Sequence, residues 1–143
     1  MAQFQTVNSF WIAMGTEKHN LSSDTIKARL INAALDLDWD VWADCSAYEI
    51  ANGNGYTTGG VTLTLVSWAL DSAGVPRLIY SSPSWTSSGS GMASYRSLIV
   101  VNDSAPSDEL VGGIDYGFGR SVPVGEAAPI VFHETNGLLA ISR

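Results

Sequence analysis

The groups in this chain that resemble reaction chemistry begin with Asn52-Gly-Asn-Gly-Tyr-Thr-Thr-Gly-Gly60, which packs four glycines and two threonines into nine residues. Backbone amides in such a loop can cradle a phosphate. A Walker loop, however, ends in Gly-Lys-Ser/Thr, and Gly60 is followed by Val61. A dinucleotide loop needs Gly-x-Gly-x-x-Gly between strand and helix, and Gly53, Gly55 and Gly59 miss that register by one residue. The expectation is a tight structural turn at Gly53, Gly55, Tyr56, Gly59 and Gly60, because glycine reaches backbone conformations closed to other residues. His133-Glu134 opens like a zinc-protease helix, but the second histidine would fall at Gly137. The alternating acids from Asp36 resemble the start of a calcium loop, yet Val41 and Ala47 stand where glycine and glutamate are required. Ser90 lies between glycines outside any nucleophile elbow, and Cys45 has no obvious base beside it. No pair among the fourteen acids is selected by spacing for glycoside hydrolysis. The chain therefore reads as a non-enzyme with no cofactor, no metal and no catalytic residue.

The elements that position these groups read as mostly β. At 143 residues the chain suits one domain burying about two-thirds of its unfolded surface. Apolar residues make up an ordinary 45%, while charged residues, at 15%, fall well below the usual quarter. The net charge of −7 argues against a nucleic-acid partner, which demands clustered Lys and Arg. No apolar stretch approaches a membrane span, and the N-terminus carries no secretory signal, so neither a membrane partner nor export is expected. A lone Cys45 leaves no internal disulfide and reads as a buried thiol. The Asn-x-Ser matches at Asn20 and Asn102 carry little weight without secretion.

Phe4, Val7, Trp11 and Met14 recur at helical spacing with Gly15 behind them, predicting a short helix, with an extended arm as the alternative. Residues 1–22 are accordingly an N-terminal helix or arm, and 23–143 a single β-rich domain. From Asp24 to Ile31 the chain alternates, predicting a half-buried strand with Thr25, Lys27 and Arg29 on its wet side. Trp39 and Trp42 are expected to pin the following loop to the core. Further strands are expected near 60–70, 76–81, 95–102, 110–116, 121–125, 129–134 and 137–142. Asp71-Ser-Ala-Gly74 and Asn136-Gly137 read as hairpin turns. In the serine-rich stretch 81–91, Trp85 argues for an ordered loop. The predicted fold is an antiparallel β-sandwich or barrel-like domain with one short N-terminal helix or arm.

The order of segments also carries a resemblance. Ser23-Asp-Thr-Ile-Lys27 with Leu30 precedes Glu49-Ile-Ala-Asn-Gly-Asn-Gly-Tyr-Thr-Thr-Gly-Gly60. Trp85, Arg96, Leu98-Ile-Val-Val-Asn-Asp103, Ile114-Asp-Tyr-Gly117 and Asn136-Gly-Leu-Leu139 follow. Over about residues 20–142 this resembles a family of small structural proteins of tailed bacteriophages that share a Gly-x-Gly-Tyr-Thr-x-Gly-Gly loop. The runs 32–48 and 81–91 depart from the pattern and are the expected places for individual contacts. The resemblance implies a virion component: a capsid decoration protein that binds the major capsid protein and itself, expected as a trimer from shell symmetry. A tail-associated or head–tail protein is the alternative. It implies no active site. Candidate interface anchors are Phe4, Trp11, Trp39, Trp42 and Trp85, since tryptophan is enriched at binding hot spots. A carbohydrate-binding module, with exposed indoles stacking on sugars, is the reading from another class.

Overall fold

A computed structural model describes residues 3–132 and 137–140. The fold is mainly β, built from two antiparallel sheets with only short helical turns. In chain order the elements are β1 (Phe4–Thr6), α1 (Phe10–Gly15), β2 (Ile26–Ile31), β3 (Val61–Thr62), β4 (Leu65–Leu70), β5 (Pro76–Tyr80), β6 (Tyr95–Asn102), β7 (Leu110–Arg120) and β8 (Leu139–Ala140). The larger sheet has the order β1-β7-β6-β2-β3, and the smaller β4-β5-β8.

The core centres on β6. Its residues Leu98, Ile99, Val100 and Val101 are all fully buried, so consecutive side chains on opposite faces both meet apolar cover. Each such side chain contributes about 1.5–3 kcal/mol of burial free energy. The neighbouring β2 behaves alike: Ala28, Leu30 and Ile31 are inaccessible to solvent. The predicted wet side of β2 therefore needs correction at Arg29, which is only 8% exposed. Its guanidinium carbon lies 4.4 Å from the centre of the Trp42 ring, and its Nη2 is 3.5 Å from Asp103 Oδ1. An aromatic lid and a carboxylate together make that burial tolerable.

The N-terminal segment is folded back. Phe4, which the spacing assigned to a helix, sits instead in β1, opposite Ile114 of β7. Strand pairing with β7 overrides the local pattern here, because Gly112 presents no side chain. A Cβ there would strike the Gln5 carbonyl oxygen and the Phe4 ring. The helix begins only at Phe10 and closes in a Schellman motif, with Lys18 N–H bonded to Ala13 O (2.9 Å) and Glu17 N–H to Met14 O (3.3 Å). Glu17 occupies the left-handed position at φ +61°, where glycine is preferred.

Between β2 and β3 the chain takes two 3-10 turns, Trp42–Asp44 and Ser46–Tyr48. Asp44 Oδ2 accepts from the Asp40 and Val41 amides (2.9 and 3.1 Å), which holds its carboxyl below the ordinary carboxylate range. The Asp71–Gly74 turn forms as expected, with Gly74 N–H on Asp71 O at 3.0 Å. The predicted strand at 121–125 is absent, as is the described part of that at 129–134. Val122 and Ile130 are buried, but Pro123 and Pro129 lack the amides a ladder needs. That segment turns at Pro123–Glu126 and pairs with the serine-rich stretch around Thr86 and Ala127, through Ser87 N–H on Glu126 O (2.9 Å), Ala128 N–H on Trp85 O (2.8 Å) and Gly125 N–H on Ser87 O (2.7 Å). His133, Glu134 and Asn136, with the motifs proposed on them, lie outside the described residues.

Candidate functional site

Three places on this frame gather the groups that matter for function: the glycine loop, a buried polar cluster at the N-terminal hook, and a knob at the far end of β7.

In the glycine loop the amides of Gly53, Tyr56, Thr58, Gly59 and Gly60 are engaged within the protein. Gly53 N–H and Tyr56 N–H bond each other's carbonyls (2.7 and 3.2 Å), Thr58 N–H reaches Asn52 Oδ1 (2.9 Å), and Gly59 N–H reaches Glu49 Oε1 (2.8 Å). Gly53, Gly55, Gly59 and Gly60 all have positive φ. At Gly55 and Gly60 a Cβ would run into the carbonyls of Thr86 and Ala28. Tyr56 is the bolt. Only 1% exposed, it donates its hydroxyl to Glu49 Oε1 (2.8 Å), accepts from Leu30 N–H (3.2 Å), and sets its ring 6.0 Å from that of Trp85. Burial, with the Glu49 carboxylate beside it, pushes the Tyr56 hydroxyl well above its ordinary pKa. The loop thus ties β2, the Glu49 segment and the serine-rich stretch together.

The hook cluster joins residues 18–24 to the β6–β7 turn. Asn102 is fully buried, and its Nδ2 lies near Asp24 Oδ2 (2.7 Å), His19 Nδ1 (3.0 Å) and Lys18 O (3.3 Å). Its Oδ1 accepts from Ser104 N–H (3.0 Å), which fixes the amide orientation. His19 Nδ1 is therefore an acceptor, and the imidazole is neutral with its proton on Nε2. Burial lowers the His19 pKa, against the opposing pull of Glu109 and Asp24. Lys18 Nζ closes the cluster on Glu109 Oε1 at 3.0 Å. Cys45 is likewise buried, and desolvation, aided by Asp44, pushes its thiol up to about 12. A thiol held protonated there is no nucleophile.

The candidate anchors separate clearly. Trp42 (8% exposed) and Trp85 (3%) are core side chains, a correction to their assignment as interface residues. Trp42 covers Arg29, and Trp85 backs Tyr56. Trp39 is half-buried against Tyr48 (6.0 Å between rings), and Phe4 is half-buried over Gly112. Of the five candidates, Trp11 alone is exposed, at 50%, next to Ile12 at 71%.

The sequence reading missed the knob. Phe118 is 63% exposed between Gly117 and Gly119, and the Arg120 guanidinium carbon stands 4.6 Å from the Tyr116 ring centre and 5.1 Å from that of Phe118. The signal was present in Tyr116-Gly-Phe-Gly-Arg120, two aromatics and an arginine spaced by glycines. A groove of about 420 Å³ is lined by Val66, Ile79, Tyr80, Ser81, Ser82 and Phe132. Tyr80 donates its hydroxyl to Leu21 O, and Ser82 Oγ accepts from Phe132 N–H. Among the described residues no three of His, Cys, Asp and Glu gather as a metal centre requires, and no helix is long and apolar enough to cross a membrane. No family model matches this chain, and no curated protein or solved structure matches it.

Proposed function

We propose that this protein is a structural component of a tailed-bacteriophage virion, a decoration protein that seats on the outer face of the shell formed by the major capsid protein and stiffens it through repeated copies. One contrast carries the reading. Most of the glycine-loop amides are tied into internal bonds and the Cys45 thiol is buried, while large apolar side chains stand in water at separate places: Trp11 and Ile12 on α1, Val66 and Leu70 on β4, and Phe118 on the knob. Isolated surface apolars are ordinary, but paired ones on rigid elements suit multipoint docking, in which many weak contacts sum through copy number. The segment order that resembles phage structural proteins supports the same class. A net charge of −7 keeps nucleic acid off the list of partners.

The test is direct. Heads and tails of a phage carrying this chain are separated physically and probed for it, and purified protein is added back to heads that lack it. Co-sedimentation with heads, and heads more resistant to heat once it is bound, are expected. Recovery with tails alone would move the protein to a tail-associated role.

A further inference from the structure

The knob at the end of β7 singles itself out by geometry and by charge. From Val100 opposite Gly112, β6 and β7 pair in register as far as Asp115 opposite Ser97, and the next pair is Arg120 opposite Tyr95. Arg96 alone on β6 therefore faces Tyr116, Gly117, Phe118 and Gly119 on β7, and the surplus loops outward, with Gly117 at φ +88°. The base of this loop is clamped. Asp115 takes both Nε and Nη2 of Arg96 (3.0 and 3.3 Å), Gly117 N–H (2.8 Å) and Leu35 N–H (3.2 Å), while Ser94 and Ser121 bond hydroxyl to hydroxyl (2.9 Å). Burial opposes the charge on Asp115, but these donors prevail and hold its carboxyl below the ordinary range. The knob is thus presented on a fixed stem.

Charge marks what it meets. Lys18, Lys27, Arg29, Arg77 and Arg96 each lie within 4 Å of a carboxylate. Among the described residues Arg120 is the one cation with no acidic partner, and its buried Nε has no hydrogen bond. The Tyr116 and Phe118 rings hold the guanidinium by its neighbours' faces and leave it short of an anion. Copies of a chain with charge −7 repel one another, and a cation placed where they touch offsets that repulsion. Arg120 is the described cation still available for that place. The chain also carries a matching surface: Asp36, Asp38 and Asp40 are all exposed, beside Trp39 stacked on a half-exposed Tyr48. Buried aromatic and arginine anchors answered by carboxylates are the composition that dominates interface energetics.

We propose that the Tyr116–Arg120 loop is a self-association site, with Phe118 as its apolar anchor and Arg120 paired to the Asp36–Asp38–Asp40 run of a second copy. The inference rests on the premise above that the chain works as repeated copies, but its test uses purified protein alone, so loss of shell binding and loss of self-association are separate results. Sedimentation equilibrium on the full chain, over about 1 μM to 1 mM, reads the dissociation constant. The wild type is expected to associate, more weakly at high salt. Phe118→Ser, Arg120→Gln and the triple change Asp36→Asn, Asp38→Asn, Asp40→Asn are each expected to weaken association at least about tenfold. The triple variant alters only exposed side chains, so it reports even if a knob variant fails to fold. A wild type that stays monomeric over the whole range overturns the proposal. So does any folded variant of the three whose dissociation constant is unchanged.

Discussion

The glycine loop offers a matched pair of substitutions, Gly53→Ala and Gly55→Ala. The two residues have nearly the same backbone, φ +109° and +108°, so the strain of forcing an L-residue there is common to both. That strain is of order 1–3 kcal/mol. They differ in what a methyl group would meet. Beside Gly53 nothing lies within 4 Å, whereas at Gly55 the new carbon would collide with the Thr86 carbonyl. A carbonyl fixed in the backbone cannot rotate aside, and forced overpacking of this kind costs typically about 1–3 kcal/mol more. Gly53→Ala should therefore lose about 1–3 kcal/mol, and Gly55→Ala about 2–6 kcal/mol. Urea unfolding followed by tryptophan fluorescence reads both, with the slope checked for constancy. At about 3 °C per kcal/mol for a domain of this size, the melting temperatures should differ by about 3–9 °C. Equal losses would refute the reasoning, because the loop would then not be pressed against the serine-rich stretch as described.

Three further outcomes follow from the same geometry. Tyr56→Phe removes the hydroxyl that serves Leu30 N–H and Glu49, leaving a buried amide unpaired, and should cost about 1–3 kcal/mol in urea unfolding. Glu17→Gly relieves the left-handed residue of the Schellman motif and should stabilise by about 0.5–1 kcal/mol, seen as a higher urea midpoint. His19 has a folded pKa below the unfolded value of 6.5, so the unfolded chain binds its proton first. Its contribution is therefore complete above pH 6.5 and is lost as pH falls below that value, with a slope of at most about 1.4 kcal/mol per pH unit. Stability curves from pH 7.5 to 5.5 should be flatter in His19→Gln than in the wild type, and parallel curves would remove His19 from the account.

The strands that read most clearly in the sequence were those whose burial is set by their own alternation or apolar run. The apolar run at Leu98–Val101 marked β6, and Asp71-Ser-Ala-Gly74 marked the turn into β5, because both signals are local. Tyr56 and its glycines could be read as a turn for the same reason. What the sequence hid depends on partners far along the chain. Arg29 looked solvent-facing because neither the Trp42 ring nor Asp103 is adjacent to it in sequence. Phe4 looked helical because Gly112, which makes room for β1, lies more than a hundred residues away. Val122 and Ile130 looked like strand residues because burial and ladder formation usually coincide, and prolines at 123 and 129 separate the two. Trp42 and Trp85 were named as candidate anchors on residue type alone, which carries no information about depth, whereas the expectation that Trp42 pins its loop to the core is met. The Phe118–Arg120 knob escaped because Arg120's want of an acidic partner among the described residues is a property of the folded surface.

The pairing of Phe4 with Ile114 also has a kinetic side. The chain's first strand has no seat until β7 has left the ribosome, and β2 likewise waits for β6 to supply the middle of the sheet. Contacts this remote along the backbone make assembly slow, since long stretches must be confined before any bonding rewards them. A nascent chain of this protein would hold its early apolar segments open for most of synthesis, a window in which chaperones, rather than its own sheet, must keep them from sticking to one another.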